Sequence, residues 1–141
     1  MSFTKRILIG VLFITIAVAI MVFLYVNKDY QGIASQKPEF YVSLTELEKE
    51  FSESPETADK KYSGKVMEIA GVFSEVKRDS NTIHLYYKGQ NYDIDVLLDK
   101  RINQEPVKKG KVKALYVGYE PADEDLMLPG IIRFKDGVIS K

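Results

Sequence analysis

The stretch Lys61–Phe73, KYSGKVMEIAGVF, decides the fold, and Lys109–Tyr119, KGKVKALYVGY, repeats its pattern. Each stretch contains Gly-Lys-Val, continues into residues typical of a strand, and carries a second glycine, at Gly71 and at Gly118. A glycine inside a strand marks a bulge or a bend, which a small barrel needs where one strand pairs with two neighbours. The two stretches are therefore predicted to be long strands of one small barrel.

Three further segments have the pattern of strands. Thr82–Tyr87 and Tyr92–Leu98 alternate in polarity, and Ile131–Ile139 follows with a turn or bulge signal at Asp136-Gly137. The residues of the second segment predicted to face inward are Tyr92, Ile94, Val96 and Leu98. Five strands, with a helix-like insert between the third and the fourth, favour an OB-fold barrel, and a generic five-stranded sandwich is the alternative.

A helix is predicted to precede the first strand. Ser43-Leu44-Thr45-Glu46 has the pattern of a capping box, in which the Ser43 hydroxyl and the Glu46 carboxylate each accept from the other residue's amide. Pro55 should end or restart the helix. One apolar face is predicted from helical spacing, formed by Leu44, Leu47, Phe51, Ala58 and Tyr62.

The N-terminal segment Ile7–Val26 contains no charged residue. Twenty helical residues span roughly 30 Å, the thickness of the hydrocarbon part of a bilayer, so a retained anchor is predicted. A cleaved signal peptide is the alternative, although its apolar region is usually shorter. Lys5 and Arg6 precede the segment, whereas Lys28 and Asp29 offset one another after it. The positive-inside rule then predicts a single pass through the inner (cytoplasmic) membrane, with the N-terminus in the cytoplasm and the C-terminal domain in the periplasm or outside.

Three parts of the chain follow from these patterns: an anchor at 1–26, a tether at 27–41, and an OB-fold-like domain with its leading helix at 42–141. Without Lys5 and Arg6 the chain keeps 18 of its 20 basic residues against 20 acidic ones, so nothing favours long-range attraction to nucleic acid. There is no cysteine, which excludes disulfides, thiol catalysis and cysteine zinc sites. A single histidine excludes a multi-histidine metal site.

The arrangement resembles the tRNA-anticodon-binding-like OB-fold family of small membrane-anchored bacterial envelope proteins. The shared features are the N-terminal apolar segment, the capped helix ending in Ala58–Tyr62, the motif Lys61–Gly71, the late Lys-Gly-Lys-Val of Lys109–Val112, and a closing strand that ends in Val138-Ile139. The resemblance covers about residues 42–141. It implies the fold, and it implies nucleic-acid binding by fold analogy alone, with no catalytic or ligand residues to carry over.

The candidate site is the outward face of the second and third strands. Antiparallel pairing of the two apolar sets places His84 opposite Asp93 if the connecting loop has two residues, and opposite Asp95 if it has four. Tyr86 lies beside His84 on the same face. Asp93 and Asp95 lack a third oxygen ligand for a cation, and no serine is placed to form a nucleophilic triad. We therefore assign no catalytic residue, no metal and no cofactor. The predicted ligand contacts are His84, Tyr86, Asp93 and Asp95.

The predicted function is that of a non-catalytic, membrane-anchored binding or scaffold module, for a protein or a glycan of the cell envelope. OB barrels bind oligosaccharides and oligonucleotides with the same strand face. The alternative is a single-stranded nucleic-acid-binding protein, which the carboxylates Asp93 and Asp95 disfavour because they repel phosphate. Basic residues cluster elsewhere, at Lys100, Arg101, Lys108, Lys109, Lys111 and Lys113.

Overall fold

The computed structural model describes residues 2–26 and 32–140, and the chain forms two compact units, Met1–Gln31 and Gly32–Lys141. The first unit contains the apolar helix α1, Phe3–Val26. This helix is long and apolar enough to cross a membrane, and a signal sequence would have the same properties. Lys28 and Asp29, which follow the predicted membrane segment, lie outside the described residues.

The second unit is a mainly β structure with two short helices on one side of its sheet. The helices are α2, Leu44–Glu53, and α3, Pro55–Tyr62. The strands are β1 Phe40–Ser43, β2 Val66–Val72, β3 Glu75–Arg78, β4 Ile83–Tyr87, β5 Tyr92–Leu98, β6 Lys109–Glu120 and β7 Gly130–Ser140.

The sheet corrects the prediction of a closed five-stranded barrel. It contains seven strands in the order β1-β2-β6-β7-β5-β4-β3, with parallel pairs β1–β2 and β5–β7 and antiparallel pairs elsewhere. Within the described residues no ladder joins the edge strands β1 and β3, so the sheet is open and mixed. A sandwich of two sheets is not formed either. The count rises from five because Phe40–Ser43 adds a parallel strand and because the predicted first strand is divided in two.

That division occurs at Phe73-Ser74, between β2 and β3. The Phe73 amide donates to the Lys108 carbonyl (2.6 Å), and the Ser74 amide donates to the Tyr86 carbonyl (2.7 Å). Two adjacent residues thus bond to different parts of the sheet, the first to the residue before β6 and the second to β4. Gly71 precedes the bend with a φ of +151°, a conformation that favours glycine. A Cβ there would lie 2.8 Å from the Leu44 side chain. The predicted bend near Gly71 is thus confirmed.

The leading helix follows its prediction closely. The Glu46 amide donates to Ser43 Oγ and the Ser43 amide donates to Glu46 Oε2, each at 3.1 Å, which confirms the capping box. Pro55 begins α3, where its missing N–H costs no helical bond. All five residues of the predicted apolar face are buried, namely Leu44, Leu47, Phe51, Ala58 and Tyr62.

Phe51 lies at the centre of the core between the helices and the sheet. It is fully buried, and its ring lies 5.5–6.4 Å from four tyrosine rings, those of Tyr62, Tyr92, Tyr116 and Tyr119. Two of the phenols bond to helix carboxylates: Tyr62 donates to Glu50 (2.7 Å) and Tyr116 donates to Asp59 (2.6 Å). Burial, and then the bond to Asp59, raises the pKa of Tyr116 well above its usual range.

The described part of the predicted tether is packed on the sheet instead of being free. Ile33 is buried, and the ammonium of Lys113 on β6 donates to the carbonyls of Ala34 and Gln36, each at 2.9 Å. The Glu39 amide donates to the Val66 carbonyl (2.8 Å), and β1 follows at once. The compact unit therefore begins at Gly32, ten residues before the predicted domain start; residues 27–31 of the tether lie outside the described residues.

Candidate functional site

The register of β4 and β5 differs from both predicted registers. His84 lies opposite Leu97, and Tyr86 lies opposite Asp95. The last paired residues, Tyr87 and Ile94, enclose a longer connection than the two or four residues predicted. A shift of two residues keeps each side chain on its predicted face, so the inward residues of β5 are buried as expected. The direct opposition of His84 and an aspartate is wrong, because His84 and Asp95 are diagonal neighbours.

His84 and Asp95 nevertheless contact one another across the two strands. Their Nδ1 and Oδ1 atoms are 2.8 Å apart. The sequence placed this pair on an exposed surface, yet Asp95 is only 3% exposed. A carboxylate oxygen accepts a hydrogen bond, so this contact favours a proton on His84 Nδ1 and fixes the orientation of the ring.

Arg133 explains how Asp95 is buried with its charge. Residue 133 lies on β7 in direct register with Asp95, and its Nη1 donates to Asp95 Oδ2 (3.3 Å). The same guanidinium donates through Nη2 (3.0 Å) and Nε (3.2 Å) to Glu120 Oε1 on β6. The buried carboxylate therefore has a partner on each oxygen. Sequence reasoning missed Arg133, because only the parallel β5–β7 pairing brings it beside Asp95.

Tyr86 forms the half-buried aromatic part of the site. Its ring stacks on the His84 ring, with centroids 5.8 Å apart and planes at 19°. The ammonium of Lys77 on β3 lies 4.4 Å from the Tyr86 centroid, in a cation–π contact. Burial, and then the negative charge of Asp95, raises the pKa of the Tyr86 phenol, so it stays a hydrogen-bond donor at neutral pH.

These side chains line an open groove of about 580 Å³ on the outer surface of the sheet. Its lining is mixed in charge and comes from β3, the following turn and β4: Glu75, Val76, Lys77, Arg78, Asp79, Thr82, His84 and Tyr86. We call this feature the His84 groove. Asp95 lies behind it, as the group that orients His84 and Arg133.

Asp93, the fourth predicted site residue, is not part of this cluster. Its Oδ1 accepts from the amide of Gly89 (3.2 Å) and so closes the loop between β4 and β5. Glu48 of α2 supports the same loop by accepting from the amides of Gln90 (2.5 Å) and Asn91 (3.1 Å). The structure thus brings together His84, Tyr86 and Asp95 and separates Asp93, which has a structural contact.

The groove presents a stacked ring pair with charged and polar side chains around it. Within residues 2–26 and 32–140 no group of three or more side chains is placed to hold a metal ion. A rigid ring pair with adjacent donors can hold a planar or sugar-like group.

Three of the six residues of the predicted basic cluster, Arg101, Lys111 and Lys113, make contacts within the domain. Arg101 donates to Asp99 through Nε (2.8 Å) and Nη2 (2.9 Å) and to Asp136 (3.4 Å), at a corner next to a second open groove. Lys111 lies 3.8 Å from Glu68, and Lys113 donates to the carbonyls described above. The residues do not form one continuous track for phosphate groups.

Comparisons with known proteins identify the family. The family described as tRNA_anti-like matches residues 1–116, from the start of the chain into β6. No curated protein matches this sequence. A solved structure described as an aspartyl-tRNA synthetase from Leishmania major Friedlin is similar at a TM-score of 0.40 and 8% identity over 70% of this chain, which corresponds to 20% of that protein's length. Because the family match spans well over half of the sequence, the chain belongs to the tRNA_anti-like family, the tRNA-anticodon-binding-like OB-fold family.

Proposed function

We propose that this protein is a membrane-tethered, non-catalytic OB-fold binding module, whose ligand in the cell envelope is a protein or a glycan. The observation that carries the proposal is Asp95, a buried carboxylate held by His84 and Arg133 on the strand position opposite the half-buried ring of Tyr86. An ion pair in this position fixes its partners in single orientations. The ligand therefore meets a preformed surface in the His84 groove.

The polar groups of the groove support a neutral or mixed-charge ligand. Glu75 and Asp79 alternate with Lys77 and Arg78 along its rim, so cationic and anionic groups are interspersed. Tyr86 offers a ring face once the flexible Lys77 side chain moves aside. Aromatic stacking combined with directional donors suits a sugar ring, and it equally suits the side chains of a protein loop.

Helix α1 supports the membrane part of the proposal. A single uncharged helix retained as an anchor confines the domain to a surface and raises its effective concentration toward a partner in that membrane. The basic pair Lys5 and Arg6 before the helix favours a cytoplasmic N-terminus, with the domain on the opposite side of the inner membrane.

Single-stranded nucleic acid is the second candidate, and the family name is the observation that favours it. Binding of this kind requires a basic path beside the stacking residue. Here the cations near Tyr86 are balanced by Glu75, Asp79 and Glu120. Such a surface releases few counterions, so we rank this candidate below the first.

The test is site-specific photo-crosslinking of the full chain in cells. A photoreactive residue replaces Lys77 in the groove, and in the control it replaces Lys49, an exposed lysine on α2. We expect an adduct from position 77 alone, and its loss when Tyr86→Ala is added. An adduct that shrinks with protease or with a glycan hydrolase identifies the partner class; one that shrinks with nuclease supports the second candidate. Equal labelling from both positions would refute the groove as the binding surface.

A protease-protection experiment tests the tether and its orientation separately. Cells with a permeabilised outer barrier receive protease, and digestion of the domain is compared with that of a cytoplasmic protein. We expect the domain to be digested while the cytoplasmic protein survives. Protection of the domain would contradict the orientation and would make nucleic acid the leading candidate.

A further inference from the structure

Two exposed apolar patches with opposite charges lie at the two ends of the longest strand, β6. The acidic tip follows the end of β6 and consists of Leu126, Met127 and Leu128 with Glu124 and Asp125. The basic end lies at the start of β6 and consists of Val72, Val107, Lys108 and Lys109. From these patches we propose that copies of this chain associate head to tail, with the acidic tip of one copy on the basic end of the next.

The acidic tip is an ordered projection that leaves its apolar side chains in solvent. Leu126, Met127 and Leu128 are 66%, 90% and 55% exposed. The backbones of Asp123 and Leu128 exchange two hydrogen bonds (2.9 and 3.0 Å), and Asp123 Oδ1 accepts from the Leu126 amide (3.1 Å), so the turn is closed. Three adjacent apolar side chains held in solvent by a built turn are typical of an interaction surface.

The basic end combines apolar surface with uncompensated positive charge. Val72 lies directly opposite Lys109 on the outer face of the β2–β6 pair, and both are exposed. Val107 and Lys108 immediately precede them and are exposed as well. Within the described part of the chain no acidic group lies within ion-pair distance of Lys108 or Lys109. At the tip, no basic group of the described residues lies within ion-pair distance of Glu124 or Asp125.

The position of the patches decides which copy each can meet. β6 runs from Lys109 to Glu120, and at about 3.3 Å per residue its ends are separated by up to roughly 36 Å. No hydrogen bond or ion pair between described residues joins the tip to the basic end of the same chain. Like charges repel, which disfavours a contact of two tips or of two basic ends, whereas unlike charges attract. A head-to-tail contact between unlike patches can repeat from copy to copy, and crosslinks beyond the dimer distinguish it from a reciprocal two-fold pair.

The contact should be weak between free molecules, because patches of this size fall short of the about 1,200 Å² buried in stable interfaces. Retention on a membrane by α1 would raise the local concentration of chains and populate the contact. The inference does not depend on the His84 groove or on its ligand.

The absence of cysteine from the sequence makes the contact measurable by disulfide crosslinking. Full-length Leu126→Cys and Val72→Cys chains are mixed in phosphatidylcholine vesicles and oxidised. We expect a mixed dimer at about tenfold higher yield than in either variant alone, because the contact joins unlike patches. The matched control pairs Leu126→Cys with Asn81→Cys, an exposed position on the β3–β4 turn. A chain carrying both Leu126→Cys and Val72→Cys should give a ladder beyond the dimer.

Charge reversal provides the second, independent measurement. Glu124→Lys with Asp125→Lys should lower the mixed-dimer yield by about threefold to tenfold at low salt, and Lys108→Glu with Lys109→Glu on the other chain should restore it. These substitutions leave Asp123, which closes the turn, unchanged.

Self-crosslinking of Leu126→Cys at the mixed yield, or a failure of the reversed pair to restore crosslinking, would overturn the proposal. Flotation of the same vesicles reports separately whether α1 holds the chain on the bilayer, so a failed anchor is distinguished from a failed contact.

Discussion

Both faces of β5 are buried, but for different physical reasons. On the inner face Tyr92, Ile94, Val96 and Leu98 pack under the helices, and their alternation in the sequence predicts this burial. On the outer face Asp95 is buried by two ionic partners from β4 and β7. Apolar burial is a property of the pattern of one strand, whereas polar burial depends on which strands become neighbours.

A substitution in the apolar core under the inner face should cause the largest loss of stability. Phe51→Ala removes the ring that four tyrosine rings surround, and we expect it to lower the free energy of unfolding by about 3–5 kcal/mol, because the cavity cannot close fully. Unfolding in guanidinium chloride measures the change. Tyrosine fluorescence is the signal, since the chain has no tryptophan. The matched control is Tyr86→Ala on the outer face, where the loss should stay below about 1 kcal/mol. Equal losses would remove the distinction between the faces.

Removing a partner of the buried Asp95 carboxylate should cause the second largest loss of stability. Arg133→Met removes the charged donor to Asp95 Oδ2, and we expect a cost of about 1–3 kcal/mol for the buried carboxylate that loses it. Adding Asp95→Asn to Arg133→Met should cost less than the sum of the two single changes, with a coupling of about 0.5–3 kcal/mol. Strictly additive losses in the denaturant titrations would show that the pair does not act as a unit.

The same contrast explains which parts of the molecule could be predicted. The capping box, the restart at Pro55 and the inward residues of β5 depend on residues close in sequence, and all were predicted correctly. The strand count was wrong, because Phe40–Ser43 is too short to show a period and joins β2 only in the folded chain. The burial of Asp95 was missed because Arg133 lies 38 positions away in the sequence.

A local contact supporting the inner face should have a smaller effect than either burial. Ser43→Ala removes the acceptor for the Glu46 amide at the start of α2, and we expect a loss of about 1 kcal/mol. Ser43→Gly should cost only a few tenths, since glycine suits a helix start. Thermal unfolding of both variants tests this order. A Gly variant less stable than the Ala variant would mean that the cap contributes through the side-chain bond alone.

The contact between Asp99 and Arg101 should contribute to stability in a pH-dependent way, unlike the apolar burial of the inner face. The hydrogen bonds from the Arg101 guanidinium outweigh burial and lower the pKa of the Asp99 carboxyl. A lowered pKa stabilises the fold above the unfolded value of about 3.9, and this contribution is lost as the pH falls through the folded value. Because Arg101 is half exposed, Arg101→Gln should cost only up to about 1 kcal/mol at neutral pH.

That cost should disappear as the pH falls below the folded pKa of Asp99, where parent and variant both carry a protonated carboxyl. The loss caused by Phe51→Ala should persist at the same pH, since no titrating group is removed. Urea titrations at neutral and acidic pH compare the two. A cost of Arg101→Gln that stays constant through this range would show that the residue contributes by packing instead of charge.

The smallest loss of stability is expected at a second ion pair, between Lys111 and Glu68. Comparing it with the Arg133–Asp95 pair tests whether an ion pair contributes more when its carboxylate is buried. Lys111 and Glu68 also form a cross-strand pair on the outer face, at 3.8 Å, but the Glu68 side chain is 18% exposed and that of Asp95 only 5%. Lys111→Ala should therefore cost no more than about 0.5 kcal/mol, because water replaces the lost partner. Its coupling to Glu68→Ala should be smaller than the coupling of Asp95 to Arg133. If the two couplings are equal, proximity of opposite charges is sufficient, and the burial of Asp95 adds nothing to the stability of the outer face.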